Sequence, residues 1–280
     1  MAEIQRKARG QFPRTALPPT QSSKYWAKEK DRYLRQLLIT DIEELTGREA
    51  IVYFAQLNEG INHTDPDDLS EILEDIEGKS VDLIIQTPGG SVDAIEKFVS
   101  VLRHRVDDYR VIVPSWAKSG GTVIAMSAST ILLGVNSELG PIDPHMMLPE
   151  LGQMPCEFIA RDASKDQVLR DYADANVKRM RGLAEKILRR GMLKDLDDKD
   201  LQTTLNKLSS ATQYNSHGAV IDFSEAKELG LNVEWMDPKC DLWRAVWLLY
   251  CLYDHDTKSN DLGRIVEGAI NSIARPRTDD

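Results

Sequence analysis

Two short turns carry the residues best able to do chemistry. Gln86-Thr87-Pro88-Gly89-Gly90-Ser91 closes the apolar run 81–86, and Trp116-Ala117-Lys118-Ser119-Gly120-Gly121 follows the run 110–114. Each turn leads into a helical pattern, whose first amides point outward without intrahelical partners. Acyl transfer needs a nucleophile and N–H donors aimed at the developing oxyanion. Ser119 offers the nucleophile and the Gly120 amide one donor. The Gly90 amide offers the second, provided the two turns are neighbours. Glycines let a substrate backbone come close, and Pro88-Gly89-Gly90 can also hold an extended peptide by β-strand addition. Phosphate binding is the rival use of such turns, but neither G-x-x-x-x-G-K-[ST] nor G-x-G-x-x-G occurs.

A serine hydroxyl needs a partner to take its proton. A lysine can do so only where its surroundings lower its pKa from about 10.4. Lys118 adjoins Ser119, but neighbouring side chains diverge, and it reads as a surface charge. Lys165 stands in a loop-like ASKD stretch, and Lys178 on a charged helix whose Ala175, Leu183 and Ile187 mark a buried face. His217, in the loop before a helix, reads as a capping or packing residue, and Asp143 as a turn residue. His63, His104 and His255 have no partner pattern. No paired His/Cys spacing occurs, so no metal is expected, and no motif for a cofactor is present. Cys156, Cys240 and Cys251 lie far apart and read as idle thiols of a reducing compartment.

Elements that would position the turns are legible as alternation. A Ser22- or Ser23-capped helix runs to Gly47, followed by strand-like AIVYFAQL (50–57). In TDPDDLSEILEDIEG, Leu69, Ile72, Leu73 and Ile76 recur at helical spacing, with Pro66 in the first turn. VDLIIQ (81–86), RVIVP (110–114) and TILLG (130–134) are further strands, separated by a helix at 92–102 and a small-residue helix at 119–129. Nearly continuous apolar strands alternating with helices predict an α/β fold with a mainly parallel sheet covered on both faces. In such a sheet, ligands bind beyond the carboxyl ends of the strands, where both turns lie. From about 165 to 210 the chain is helical and charged. A short helix at 224–231 runs into a strand at 232–235, and two further helices are expected near 241–253 and 260–274. The tail RPRTDD is expected to fray.

The stretch from Ile84 to Pro144 resembles the serine dehydrogenase proteinase family, relatives of signal peptide peptidase A and of Clp protease within the Clp/crotonase fold. Four signatures stand in register: Thr87-Pro88-Gly89-Gly90, Val113-Pro114, Ser119-Gly120-Gly121-Thr122 and Ser137-Glu138-Leu139-Gly140-Pro141-Ile142-Asp143-Pro144. SHGAVIDFSEAKELGLNV (216–233) is similar to the segment after the catalytic core, so the resemblance covers roughly residues 25–235. It implies a Ser–Lys peptidase with Ser119 as nucleophile, Gly90 and Gly120 as oxyanion hole, and Lys178 as base, since Ala173-Asp174-Ala175-Asn176-Val177-Lys178 is similar to the family's lysine-bearing run. Lys165 is the second lysine. His145, 26 residues after Ser119, lies close to the histidine position of Clp-type Ser-His-Asp triads and is the rival base. The chain departs from the family at Gly120, where alanine is usual, and at His145, where glutamine often stands.

These readings predict a flexible arm (1–21), a Clp/crotonase-like peptidase domain (22–235) and a helical C-terminal extension (236–280). The expected activity is serine endopeptidase cleavage of extended or unfolded polypeptides. The alternative is an inactive scaffold of the same fold that binds peptides or partners; a crotonase-like acyl-thioester enzyme is a more distant one. The resemblance implies a homo-oligomer, with the cluster from Trp243 to Tyr253 as a candidate interface. A formal charge of −10 disfavours phosphate backbones, so no nucleic-acid partner is expected. The N-terminus lacks the apolar core of a secretory signal, and 242–253 is too short to span a bilayer. A cytoplasmic protein with no integral membrane segment follows from these features.

Overall fold

The computed structural model describes residues 22–149 and 151–278; the expected N-terminal arm lies outside them. Ser22 caps α1 (Ser23–Lys28), its hydroxyl accepting from the Tyr25 amide. The expected single helix is broken at Glu29, and α2 (Lys30–Thr46) ends on left-handed Gly47. The chain then alternates as read: β1 (Glu49–Ala55), α3 (Asp65–Leu73), β2 (Ser80–Gln86), α4 (Val92–Arg105), β3 (Asp108–Val113), the short β4 (Trp116–Ala117), α5 (Gly120–Met126) and β5 (Thr130–Leu133).

The second half adds β6 (Glu138–Leu139), the hairpin of β7 (His145–Leu148) and β8 (Gly152–Pro155), and a helical section. That section comprises α6 (Cys156–Arg161), α7 (Gln167–Arg189), α8 (Asp198–Ser209), α9 (Ala211–Tyr214) and α10 (Phe223–Glu228). β9 (Val233–Trp235), α11 (Asp241–Ser259), β10 (Leu262–Gly268) and β11 (Ser272–Pro276) complete the chain. The central sheet runs β11-β10-β1-β2-β3-β5-β9. β1, β2, β3, β5 and β9 are parallel, and β10 and β11 join antiparallel beside β1.

Strand alternation separates two apolar layers. Ile51, Tyr53, Leu83, Ile85, Val111 and Ile131 face a core shared with α3, α4, α5 and α7. Val52, Phe54, Ile84, Ile112 and Leu132 face α2 and α11 instead. Trp243, Val246, Leu249 and Tyr253 of α11 are buried in this second layer, so part of the candidate interface cluster is core; Leu248 remains exposed.

The helix expected at 260–274 is a strand hairpin. Arg264 and Glu267 look like solvent-face charges in sequence, but both are buried. Glu267 pairs with Arg35 at 2.8 Å and accepts from the Tyr253 hydroxyl at 2.5 Å; Asp256 closes on the other side of Arg35. Burial alone would lower the Arg35 pKa, but Glu267 and Asp256 raise it on balance. The C-terminal segment is thus a structural edge of the main sheet. Its tail is held as well, because the Thr278 amide donates to Glu59 at 2.8 Å. No helix among the described residues is long and apolar enough to cross a membrane.

Candidate active site

The two glycine turns are neighbours at the carboxyl ends of β2 and β3. Thr87 and Ala117 form an isolated parallel bridge, with Thr87 N donating to Trp116 O at 3.2 Å and Lys118 N to Thr87 O at 3.0 Å. Gly89 lies so close to the second turn that a Cβ there would stand 2.6 Å from Gly120 N and 2.8 Å from Ser119 Cβ. Its φ of 98° also favours glycine. A Cβ on Gly90 would collide with the Ile61 backbone, because Ile61 N donates to Gly89 O at 2.7 Å and Ser91 N to Ile61 O at 2.9 Å. Ile61 therefore already occupies one edge of the segment expected to receive a peptide.

Ser119 is the N-cap of α5, yet its backbone is at φ 51° and ψ −116° and its hydroxyl makes no capping bond. An ordinary serine cap is extended, with Oγ accepting from the second or third helical amide. A non-glycine residue held in this region costs about 1–3 kcal/mol. The surroundings impose it: Gly121 N donates to Lys118 O at 2.7 Å, and the Thr122 hydroxyl, next to Ala117 O at 2.8 Å, accepts from Gly140 N at 3.0 Å. The wholly buried α5 fixes the rest. A Cβ on Gly120 would overlap Ile95 Cδ1 and stand 2.8 Å from its Cγ1. Ile95 thus fills the space an alanine methyl would take, which gives the departure at Gly120 a packing reason.

A histidine pair stands on one buried carboxylate, Asp143. His217 Nδ1 donates to Asp143 Oδ1 at 2.8 Å, and His145 Nδ1 donates to Asp143 O at 3.1 Å. Carboxylate and carbonyl oxygens only accept, so both protons sit on Nδ1 and each Nε2 is left as the basic nitrogen. The rings stand 4.1 Å apart between centroids. Asp143 is 2% exposed. Burial, then the neighbouring His217, lowers the His145 pKa against the pull of Asp143. Buried Cys156 is pushed up to about 11 by burial and by Asp143, so its thiol keeps its proton.

Lys118 ties the Ser119 turn to neighbouring segments. Its ammonium donates to Leu139 O at 3.1 Å and Ala219 O at 2.9 Å and pairs with Glu138 at 3.1 Å. It is half-buried rather than a surface charge, and burial lowers its pKa. Leu139 and Ala219 flank the stretches that carry Asp143, His145 and His217.

The lysines expected as bases stand differently. The Lys178 side chain is 76% exposed on α7 and pairs with Asp174 at 2.6 Å, which raises its pKa. Lys165 lies in the turn between α6 and α7, its amide bonded to Asp162 O. The Lys178 ammonium thus stands in solvent beside a carboxylate, the opposite of the surroundings that would lower its pKa. The contribution of His217 and Asp143 was hidden in sequence because they lie 74 residues apart. The signal that could have found them was the motif Ser216-His217-Gly218 together with Ile142-Asp143-Pro144.

The profile of the ClpP-like SDH-type serine proteinase family matches residues 59–266, and the chain belongs to that family. Two relatives from Methanocaldococcus jannaschii, uncharacterized proteins MJ0137 and MJ1495, are 35% and 30% identical over 183 and 185 residues. Each alignment covers 62% of this chain, and the chain matches only 61% and 60% of the two relatives' lengths. Among solved structures, ClpP1 from Listeria monocytogenes is 15% identical, covering 73% of this chain and 96% of that one, with a TM-score of 0.43. The ClpP protease catalytic domain from Plasmodium falciparum is 14% identical over 73% and 91%, with a TM-score of 0.45. Both likenesses are too low to add to the family match.

Proposed function

We propose that this chain is a serine endopeptidase acting on extended or unfolded polypeptides, with Ser119 as nucleophile, His217 as general base and Asp143 as the residue that orients it. The observation that carries the reading is the backbone of Ser119. A serine that merely capped a helix would be extended and bonded to the helix, whereas Ser119 is held in a costly conformation with its hydroxyl uncommitted. The base moves from Lys178 to His217 because a proton acceptor must be free near neutral pH. The Lys178 ammonium is locked to Asp174, while His217 presents a bare Nε2 backed by a buried carboxylate.

Ser119 Oγ attacks the peptide carbonyl carbon as its proton passes to His217 Nε2. The carbonyl oxygen becomes an oxyanion facing the amides of Gly90 and Gly120, which have no protein acceptor among the described residues. The tetrahedral intermediate collapses, His217 gives its proton to the leaving amine, and an acyl-serine remains. Water then attacks the ester, losing a proton to His217 and releasing the carboxylate product and Ser119. Asp143 holds the Nδ1 proton of His217 and stabilises the imidazolium. A homo-oligomer is part of the proposal, in keeping with the family.

The test is degradation of an unfolded protein such as reduced, alkylated casein. Wild type and Lys178→Ala should cleave it. Ser119→Ala and His217→Ala should each lose more than about 10³-fold in rate. Loss of activity in Lys178→Ala with His217→Ala still active would return the base to the lysine. A wild type without turnover would favour the inactive scaffold.

A further inference from the structure

His145 has no task in the mechanism above, yet it completes a donor set. Asp143, His145 and His217 each offer one ligand atom, and the three atoms lie within 4.8 Å of one another. Two imidazole nitrogens and one carboxylate oxygen match a zinc-class divalent ion with three protein ligands and an open fourth position. They match calcium or magnesium poorly, since those ions require six or more oxygens. In a tetrahedral zinc site, ligand atoms are about 3.3 Å apart, given metal–nitrogen bonds of about 2.0 Å. No pair of donor atoms therefore needs to close by more than about 1.5 Å. The frame favours this: Asp143 is buried, His145 opens the β7–β8 hairpin, and Cys156 at the far end of that hairpin donates its amide to Pro144 O at 2.9 Å. Linear spacing concealed the set because the third donor lies 72 residues beyond His145.

We propose that Asp143, His145 and His217 form a reversible binding site for a zinc-class divalent cation, and that the bound ion switches off Ser119 by engaging its base. The binding half stands on the donor geometry alone; the inhibitory half rests on the peptidase reading of His217. A neutral imidazole has one lone-pair nitrogen; once the metal takes it, the other nitrogen carries the proton and none is left to accept that of the serine. Activity then falls in proportion to occupancy, to about one tenth at a free zinc concentration ten times Kd.

The experiment is zinc titration by calorimetry, with cobalt(II) absorption as a second readout, on full-length wild type, Ser119→Ala, His145→Gln and Cys251→Ser. Wild type, Ser119→Ala and Cys251→Ser should bind one ion with similar Kd. Visible cobalt bands of tetrahedral strength should appear, and magnesium should not compete. His145→Gln should weaken zinc binding by about tenfold or more. Binding that survives His145→Gln unchanged, or disappears in Cys251→Ser, overturns the site. If zinc binds as described but wild-type casein cleavage is not slowed at saturation, the inhibitory half fails. Binding in the Ser119→Ala protein keeps the site testable even if the chain proves to be no peptidase.

Discussion

Replacing Gly120 by alanine tests the packing that sets the nucleophile turn. The new methyl would overlap Ile95 Cδ1 and stand 2.8 Å from Cγ1, in a helix buried on every side. Overpacking of this kind costs about 1–3 kcal/mol. Exchanging glycine for alanine in a helix returns about 0.5–1 kcal/mol. The single substitution should therefore destabilise by roughly 1–2 kcal/mol. Ile95→Val removes Cδ1, the nearer of the two clashing atoms, and alone should cost about 0.5–1.5 kcal/mol. With both changes the methyl occupies the vacated space. The double variant should then be no less stable than Ile95→Val, a coupling of about 1–2 kcal/mol. Urea unfolding followed by tryptophan fluorescence measures all four proteins. Additive effects, or a Gly120→Ala protein more stable than wild type, would refute the argument that Ile95 holds the place of the alanine methyl.

Lys118→Met should lose about 2 kcal/mol of stability, since charge-assisted bonds to Leu139 O, Ala219 O and Glu138 vanish together; a shift in urea midpoint within error of wild type would contradict this. Glu267→Gln should cost about 3–5 kcal/mol, because Arg35 is left buried with only part of its partner set; chemical denaturation reads the loss. Glu96 is bonded first to Arg179 and then to Lys186, which lowers its pKa. A depressed carboxylate pKa contributes stability that is present above the unfolded value and lost as pH falls through the folded one. Wild type should thus exceed Glu96→Gln by under about 1 kcal/mol at pH 7, given the exposure of the pair, and the two should converge in acid below about pH 4.

The first half of the fold was legible because each element obeys one local rule. Runs 81–86 and 130–134 are mostly apolar and buried on both faces, and Gly47 and Pro66 punctuate helices. The Ser119 turn was legible as a tight turn for the same reason: its glycines are required by close packing. The C-terminal hairpin was not, because Arg264 and Glu267 are buried only by virtue of partners such as Arg35, more than two hundred residues away. Glycines at 263 and 268 are the local signal against a helix there. The surroundings of the candidate bases were hidden on similar grounds. Lys178 shares a helix with buried residues, but its own position faces solvent next to Asp174. His217 gains its character only from Asp143, which the fold brings across from the other side of the helical section.

The central claim is that Ser119 is an activated nucleophile, and covalent capture tests it most directly. Purified protein treated with a biotinylated fluorophosphonate, digested and mapped by mass spectrometry should carry one phosphonyl group per chain, on Ser119. The adduct should be absent from His217→Ala and present in Lys178→Ala. An unmodified Ser119 under conditions that label a control peptidase, or an adduct on any other serine, would contradict the account.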